Sequence, residues 1–144
     1  MVNQTQDLPL RYEPGKAELT GIADPSYASE SYAGRSISGY VFVMSGPVVT
    51  WSSRMQPIVA LLTNEAEHIT LAHSAQEATY LGDFFQEFGF QQYKTITIHE
   101  VNMGTLHLAN HKTYSTKTKH IGARFHVLQD LVLDNQIILK HVST

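Results

Sequence analysis

Three acidic residues are placed along the sequence so that a folded domain could bring their carboxylates together. Asp24 follows a segment typical of a strand, Glu67 lies at the start of a long helical pattern, and Glu100 ends an alternating segment. Carboxylate oxygens are the ligands that hard cations such as Mg²⁺ prefer. Two such ions about 4 Å apart can activate a water and stabilise the leaving oxygen of a phosphodiester. The three residues are therefore a candidate metal site for phosphodiester hydrolysis.

Each of these carboxylates also has a purely structural interpretation. Asp24 precedes Pro25, as turn residues commonly do. Asn64 and Glu67 have a spacing close to that of a capping box, in which Glu67 would reach back to a free backbone N–H. Glu100 could be a solvated strand end. Their spacing alone leaves both interpretations open.

Histidines provide a second candidate site. His107 and His111 are four residues apart, so they could share one helix face and bind zinc. The segment lacks the glutamate of the H-E-x-x-H motif, and the chain has no cysteine. This favours exposed helix or loop histidines over a zinc site.

A third candidate site is a basic stretch in the last third of the chain. No acidic residue occurs between Glu100 and Asp130. Phosphate binding is therefore plausible here, and a solvated Lys-rich loop is the alternative. The candidate nucleic-acid-binding residues are Lys112, Lys117, Lys119, His120 and Arg124.

Composition limits the classes of protein to consider. The chain has 144 residues, 42% hydrophobic and 16% charged, which fits one domain with a sizeable core. Its 10 Lys and Arg against 13 Asp and Glu give a net charge of -3, which excludes a globally basic nucleic-acid binder. Without cysteine there is no disulfide framework or thiol nucleophile. No apolar run approaches the ~20 residues of a membrane span, and Met1–Asp7 is too polar for a signal peptide, so we expect an intracellular protein with no membrane partner.

The elements that must position these residues follow from hydrophobic periodicity and turn signals. The alternation in the fourth strand places Ile96, Ile98 and Glu100 on one face. Strands separated by helical crossovers imply an α/β domain with a mixed sheet. The predicted elements are a strand at Ala17–Ala23 closed by a turn at Asp24–Ser26, a hairpin of Ser36–Met44 and Val48–Ser53, a helix at Asn64–Phe88, a strand at Thr95–Glu100, helices at Asn102–Ala109 and Ile121–Leu133, and a strand at Gln136–Val142.

Several sequence blocks stand in the order found in one known family. The blocks are Leu10–Tyr12 and Leu19–Gly21, then Gly21–Ala28 (GIADPSYA), Arg35–Phe42 (RSISGYVF), Val49–Pro57 (VTWSSRMQP), Thr63–His68 (TNEAEH) and Thr118–Ile121 (TKHI). Over nearly its whole length the chain resembles the RNase H domain of copia-type LTR-retrotransposon polyproteins. The resemblance implies an N-terminal arm over residues 1–16, a remnant of the junction with reverse transcriptase, and an RNase H-like domain over residues 17–144.

The resemblance also implies a fold and an activity. The fold is RNase H-like, with a five-stranded mixed sheet flanked by helices. The activity is cleavage of the RNA strand of an RNA–DNA hybrid by two Mg²⁺ ions held on four carboxylates. Asp24 matches the first carboxylate and Glu67 the second, while Glu100 stands where the family has Asp. The family's fourth carboxylate lies beyond the last strand, and this sequence ends at Thr144 before reaching it.

Departures from the family pattern lie at the carboxylate blocks. Glu100 is one methylene longer than Asp, which moves a ligating oxygen by more than about 1 Å in a site of strict Mg²⁺ geometry. A misplacement of about 1 Å can cost roughly a hundredfold in rate. We therefore expect three carboxylates at one end of the sheet, weak Mg²⁺ and hybrid binding, and a catalytically degenerate domain with a structural, partner-binding or nucleic-acid-binding role. An active Mg²⁺-dependent endoribonuclease is the alternative, and a homodimer or a partner domain of the polyprotein both remain open.

Overall fold

The computed structural model describes residue 9 and residues 18–27, 33–60, 62–90, 94–100, 102–110 and 122–142. The predicted arm over residues 1–16 lies almost entirely outside this part of the chain. The elements, in order, are β1 (Leu19–Ser26), β2 (Ile37–Met44), β3 (Val48–Met55), α1 (Thr63–Glu87), β4 (Ile96–Glu100), α2 (Met103–Asn110), α3 (Gly122–Leu133) and β5 (Ile137–His141).

The five strands form one mixed sheet in the order β3-β2-β1-β4-β5. β1 pairs antiparallel with β2, and β2 with β3, whereas β4 lies parallel to both β1 and β5. The parallel pairs are connected through helices, as parallel strands require. This confirms the predicted α/β class and the five-stranded mixed sheet.

The end of β1 differs from the prediction. A turn was predicted at Asp24–Ser26, but the strand continues there, and Pro25 pairs with Ser38 of β2. On its other side β1 pairs with β4 only as far as Ala23, opposite Glu100. Beyond Ala23 one edge of β1 is therefore not paired to a described strand. A proline, which has no N–H to donate, is tolerated at such an edge.

The helices pack on one face of the sheet, which we call the inner face. It carries Ala23, Phe42 and Ile98, which form one core cluster with side chains of the helices such as Leu71 of α1 and Leu128 of α3. Because side chains alternate along a strand, the other residues of each strand point to the opposite, outer face. Large apolar side chains are exposed there: Ile22, Trp51 and Ile138.

Gly21 of β1 is required by the packing of this core. A Cβ built on Gly21 would lie 2.6 Å from Cε1 of Phe42, its cross-strand neighbour. Phe42 is fully buried, so its ring has no space into which it can withdraw.

No described helix combines the length and the apolar character that crossing a bilayer requires.

Candidate functional site

Glu100 is buried at the end of β4. Only 1% of its surface is exposed, and Ile96 and Ile98 on the same face are also buried. This confirms the prediction that the three residues share one face, and the burial of Glu100 shows that a solvated strand end is the wrong interpretation. The cause is the register: Glu100 lies beside Ala23 on the face that the helices cover. Its Oε1 accepts a hydrogen bond of 3.2 Å from the backbone N–H of Asn102.

Glu67 does not belong to a capping box. α1 begins at Thr63 with Leu62 as its N-cap, and no side chain caps it. Asn64 is therefore inside the helix and cannot serve as the N-cap residue that a capping box requires. Instead, Oε2 of Glu67 accepts a hydrogen bond of 3.0 Å from the hydroxyl of Thr105 in α2.

Asn102 joins these two carboxylates to the start of α2. Its Oδ1 accepts hydrogen bonds from the backbone N–H groups of Gly104 at 2.7 Å and Thr105 at 3.2 Å. These are donors that a helix start leaves without partners, so Asn102 acts as the side-chain cap of α2. Its Nδ2 donates to Oδ1 of Asn64 at 3.3 Å. We call Asn64, Glu67, Glu100, Asn102 and Thr105 the α2 network.

Asn102 and Thr105 are the residues of this site that the sequence interpretation missed. An asparagine directly before a helical segment is a recognised N-cap signal, so Asn102 was detectable. No local signal marks Thr105, because its partner Glu67 is 38 residues away.

Asp24 lies at the same end of the sheet but on the other face. It follows Ala23, which lies beside Glu100, and the burial pattern of β1 makes Ala23 buried and Asp24 exposed. By strand alternation the Asp24 side chain is on the outer face, whereas Glu67 and Glu100 are on the helix-covered side. The hydrogen bonds of Glu67 and Glu100 both lead to the start of α2, whereas Asp24 is on the other face; a common catalytic or metal-binding role of the three stays a prediction.

The fit of a shared Mg²⁺ site follows from this placement. Within the described part of the chain, no group of three or more His, Cys, Asp or Glu side chains is arranged to hold a metal ion. Glu67 and Glu100 each accept a hydrogen bond from α2 or its cap, and Asp24 is across the sheet. The carboxylates as placed do not fit a common metal centre.

The predicted phosphate-binding and zinc residues are not tested by the structure. Lys112, Lys117, Lys119 and His120 lie outside the described residues, as does His111. Arg124 belongs to α3 and His107 to α2, but their side chains are not described. The basic stretch therefore stays a prediction.

Comparison with known proteins found related sequences, although no family model matches. The chain is 32% identical over 126 residues to the retrovirus-related Pol polyprotein from transposon TNT 1-94 of Nicotiana tabacum. It is 25% identical over 126 residues to the corresponding polyprotein from transposon RE2 of Arabidopsis thaliana. Each match covers 88% of this chain and 9% of the polyprotein, so the chain corresponds to a small segment of these relatives.

Solved structures with the same fold include cellular and viral proteins. LC11-RNase H1, isolated from compost, has a TM-score of 0.64 and 14% identity, with coverage of 88% of this chain and 85% of that one. RNase H1 from the halophilic archaeon Halobacterium salinarum has a TM-score of 0.56 and 16% identity, with coverage of 88% and 86%. The Prototype Foamy Virus protease-reverse transcriptase has a TM-score of 0.63 and 14% identity, with coverage of 95% of this chain and 19% of that one. At these identities the likeness shows the fold.

Proposed function

We propose that this chain, an RNase H-like domain of the retrotransposon Pol polyprotein type, has carboxylates that no longer support hydrolysis. In this proposal it serves as a structural domain that binds partners or nucleic acid. One observation carries this proposal. The residues matching two catalytic carboxylates, Glu67 and Glu100, are hydrogen-bonded into the α2 network, and the third, Asp24, is on the opposite sheet face.

The chemistry of hydrolysis explains why this placement matters. When bound, two Mg²⁺ ions would activate the attacking water and stabilise the leaving oxygen, which needs ligand oxygens that converge on one point. Mg²⁺ tolerates little departure from octahedral geometry. Carboxylates on opposite faces of a sheet do not converge, and the extra methylene of Glu100 adds a further displacement. The side chains present therefore support a structural role for Glu67 and Glu100.

That structural role is to hold α2 in place. Glu67 accepts a hydrogen bond from Thr105, which is completely buried, and Glu100 accepts one from the backbone of Asn102 just before the helix. α2 is thereby tied to α1 and to the end of β4. A short helix gains most of its stability from such tertiary contacts, so its position depends on these carboxylates.

Nucleic-acid binding in this proposal is weak. The acid-free stretch from Lys112 to Arg124 could supply about four phosphate contacts, each worth a slope of about -0.9 in the log–log salt dependence of duplex binding. With a net charge of -3, the rest of the chain does not add attraction. We expect binding of an RNA–DNA hybrid at low salt and its loss at moderate salt, measured by fluorescence anisotropy with a labelled hybrid. Tight binding that persists at physiological salt would contradict this part of the proposal.

The experiment that tests the loss of hydrolysis uses residues 1–144 with a labelled RNA–DNA hybrid in Mg²⁺ or Mn²⁺. We expect no cleavage above background, and no restoration by Glu100→Asp alone, because Asp24 would still lie across the sheet. Asp24→Asn and Asp83→Asn serve as a matched pair, since both remove one exposed carboxylate and Asp83 lies far along α1. Robust cleavage that Asp24→Asn abolishes and Asp83→Asn preserves would instead identify an active Mg²⁺-dependent endoribonuclease.

A further inference from the structure

The C-terminal half of α1 and its C-cap residue, Phe88, present aromatic side chains to solvent. Tyr80, Phe84 and Phe88 are 62%, 42% and 66% exposed. Residues spaced by four lie on one face of a helix, so these three form a continuous line, which we call the aromatic stripe. The outward face of a surface helix is ordinarily polar. An aromatic outward face indicates a surface that another molecule covers.

The rings of the aromatic stripe touch one another and are anchored in the core. The ring centroids of Tyr80 and Phe84 are 6.3 Å apart, and those of Phe84 and Phe88 are 4.9 Å apart. Phe84 also makes an edge-to-face contact at 5.6 Å with Phe85, which packs against the hydrophobic core. Phe85 in turn contacts the exposed ring of Phe90 at 6.4 Å. The contacts restrict the rings before any partner arrives, which lowers the entropy cost of binding.

The charged side chains that α1 places beside the aromatic stripe are acidic, although Lys94, beyond the helix, lines a cleft together with Asp83. Asp83 and Glu87 alternate with the rings and are exposed, and α1 contains no Lys or Arg. Acidic residues at the C-terminal end of a helix oppose its dipole, so their presence there is unfavourable for the isolated domain. A cationic partner would remove that penalty. Phosphate groups would be repelled, which argues against nucleic acid as the occupant.

We propose that the aromatic stripe binds a cationic amphipathic helix of a protein partner. Apolar side chains of that helix would cover Tyr80, Phe84 and Phe88, and its Lys or Arg side chains would lie beside Asp83 and Glu87. The stripe is about 12 Å long from Tyr80 to Phe88, enough for two turns of a helix. Docking of a helix through apolar anchors at such spacing is a common mode of peptide recognition.

This inference rests on the partner-binding role proposed above and names the class of partner that would bind. Its residues are separate from the α2 network, because Tyr80 is about 20 Å along α1 from Glu67. Peptide binding and hybrid cleavage can therefore fail independently, and each outcome is read from its own assay.

The test measures binding of synthetic peptides to the whole chain. One is a helical peptide of Leu and Lys, and the other has the same Leu face with Glu in place of Lys. We expect the cationic peptide to bind at least tenfold more tightly, with shifts of the Tyr80 and Phe88 ring signals in NMR spectra. Phe84→Ser with Phe88→Ser should weaken binding at least tenfold, as loss of interface anchors does. Asp83→Lys with Glu87→Lys should reverse the preference between the peptides.

Trp51→Ser is the matched control, because it removes a similarly exposed aromatic ring from the outer face of the sheet. It should leave peptide binding unchanged. If the double variant does not fold, Phe88→Ser alone takes its place in the test, because Phe88 is the most exposed ring of the stripe and its replacement disturbs the fold least. Equal binding of both peptides, or equal loss in Trp51→Ser, would overturn the inference. So would ring shifts caused by an RNA–DNA hybrid, or self-association of the chain that Phe88→Ser abolishes, which would assign the stripe to nucleic acid or to a second copy.

Discussion

The hydrogen bond between Thr105 and Glu67 offers the sharpest test of the structural role of the carboxylates. We expect the two side chains to be energetically coupled in the absence of any metal. The perturbations are Thr105→Val, which removes the hydroxyl at nearly constant volume, and Glu67→Ala, which removes the acceptor. The double variant completes the cycle.

The magnitude follows from the geometry. The distance from Oγ1 of Thr105 to Oε2 of Glu67 is 3.0 Å, and Thr105 has no exposed surface. Hydrogen bonds to charged groups contribute about 1.5–3 kcal/mol. Glu67 is only half-buried, so water competes for its carboxylate, and we expect a coupling energy of about 1 kcal/mol. Thr105→Val should cost about 1–1.5 kcal/mol and lower Tm by about 3–6 °C in a domain of this size.

The assay is urea unfolding of the four proteins at low salt without divalent cations. Glu67→Gln is the control, because its amide oxygen can still accept the hydrogen bond of Thr105 and should preserve most of the stability. A coupling energy indistinguishable from zero would refute the structural role of Glu67. Destabilisation by Glu67→Gln as large as that by Glu67→Ala would also refute it.

Three further predictions concern metal, pH and packing. Saturating Mg²⁺ should leave Tm unchanged. If Mg²⁺ did bind the folded chain, a hundredfold excess over its Kd would raise the free energy of unfolding by about 2.7 kcal/mol. Micromolar Mg²⁺ binding measured by calorimetry would contradict this prediction. Burial lowers the pKa of His68 to about 4, so between pH 6.5 and 4 the unfolded chain binds more protons than the folded one. The contribution of neutral His68 to the free energy of unfolding should therefore be fully present above pH 6.5, and up to about 3 kcal/mol of it should be lost towards pH 4. In His68→Gln, the free energy obtained from urea unfolding should depend less on pH. Gly21→Ala should lower the free energy of unfolding in urea by about 1–3 kcal/mol, because its Cβ would lie 2.6 Å from the buried ring of Phe42. An unchanged urea midpoint would show that the core accommodates the added methyl group.

Hydrophobic periodicity was sufficient to predict most of the fold. The helix predicted at Asn64–Phe88 is observed at Thr63–Glu87, because its apolar repeat is long and regular. Alternation at Thr95–Glu100 correctly placed Glu100 on the same face as Ile96 and Ile98, but it did not indicate that the helices cover this face. The turn predicted at Asp24–Ser26 was wrong, because pairing with β2 overrides the local preference of the Asp-Pro sequence. Strand pairing is a tertiary property that a turn signal does not contain.

The candidate site was less predictable than the fold. Residue types alone allowed Glu67 to be a metal ligand or a capping residue, and its actual partner is Thr105. That partner depends on how α2 docks against α1, which no local pattern encodes. The face of Asp24 likewise depends on its register with Glu100 through Ala23, and a one-residue difference in register would reverse it.

We assign a different proposed role to each end of α1. At its N-terminal end Glu67 is bonded to Thr105 and holds α2, so stability there uses a carboxylate that hydrolysis would need. At its C-terminal end Asp83 and Glu87 lie beside exposed rings, and Glu87 in the last turn opposes the helix dipole. The carboxylate of Glu67 is bonded within the fold, whereas the exposed carboxylates beside the aromatic rings are available to a cationic partner. The first end is therefore where the domain is held together, and the second is where we expect it to meet another protein.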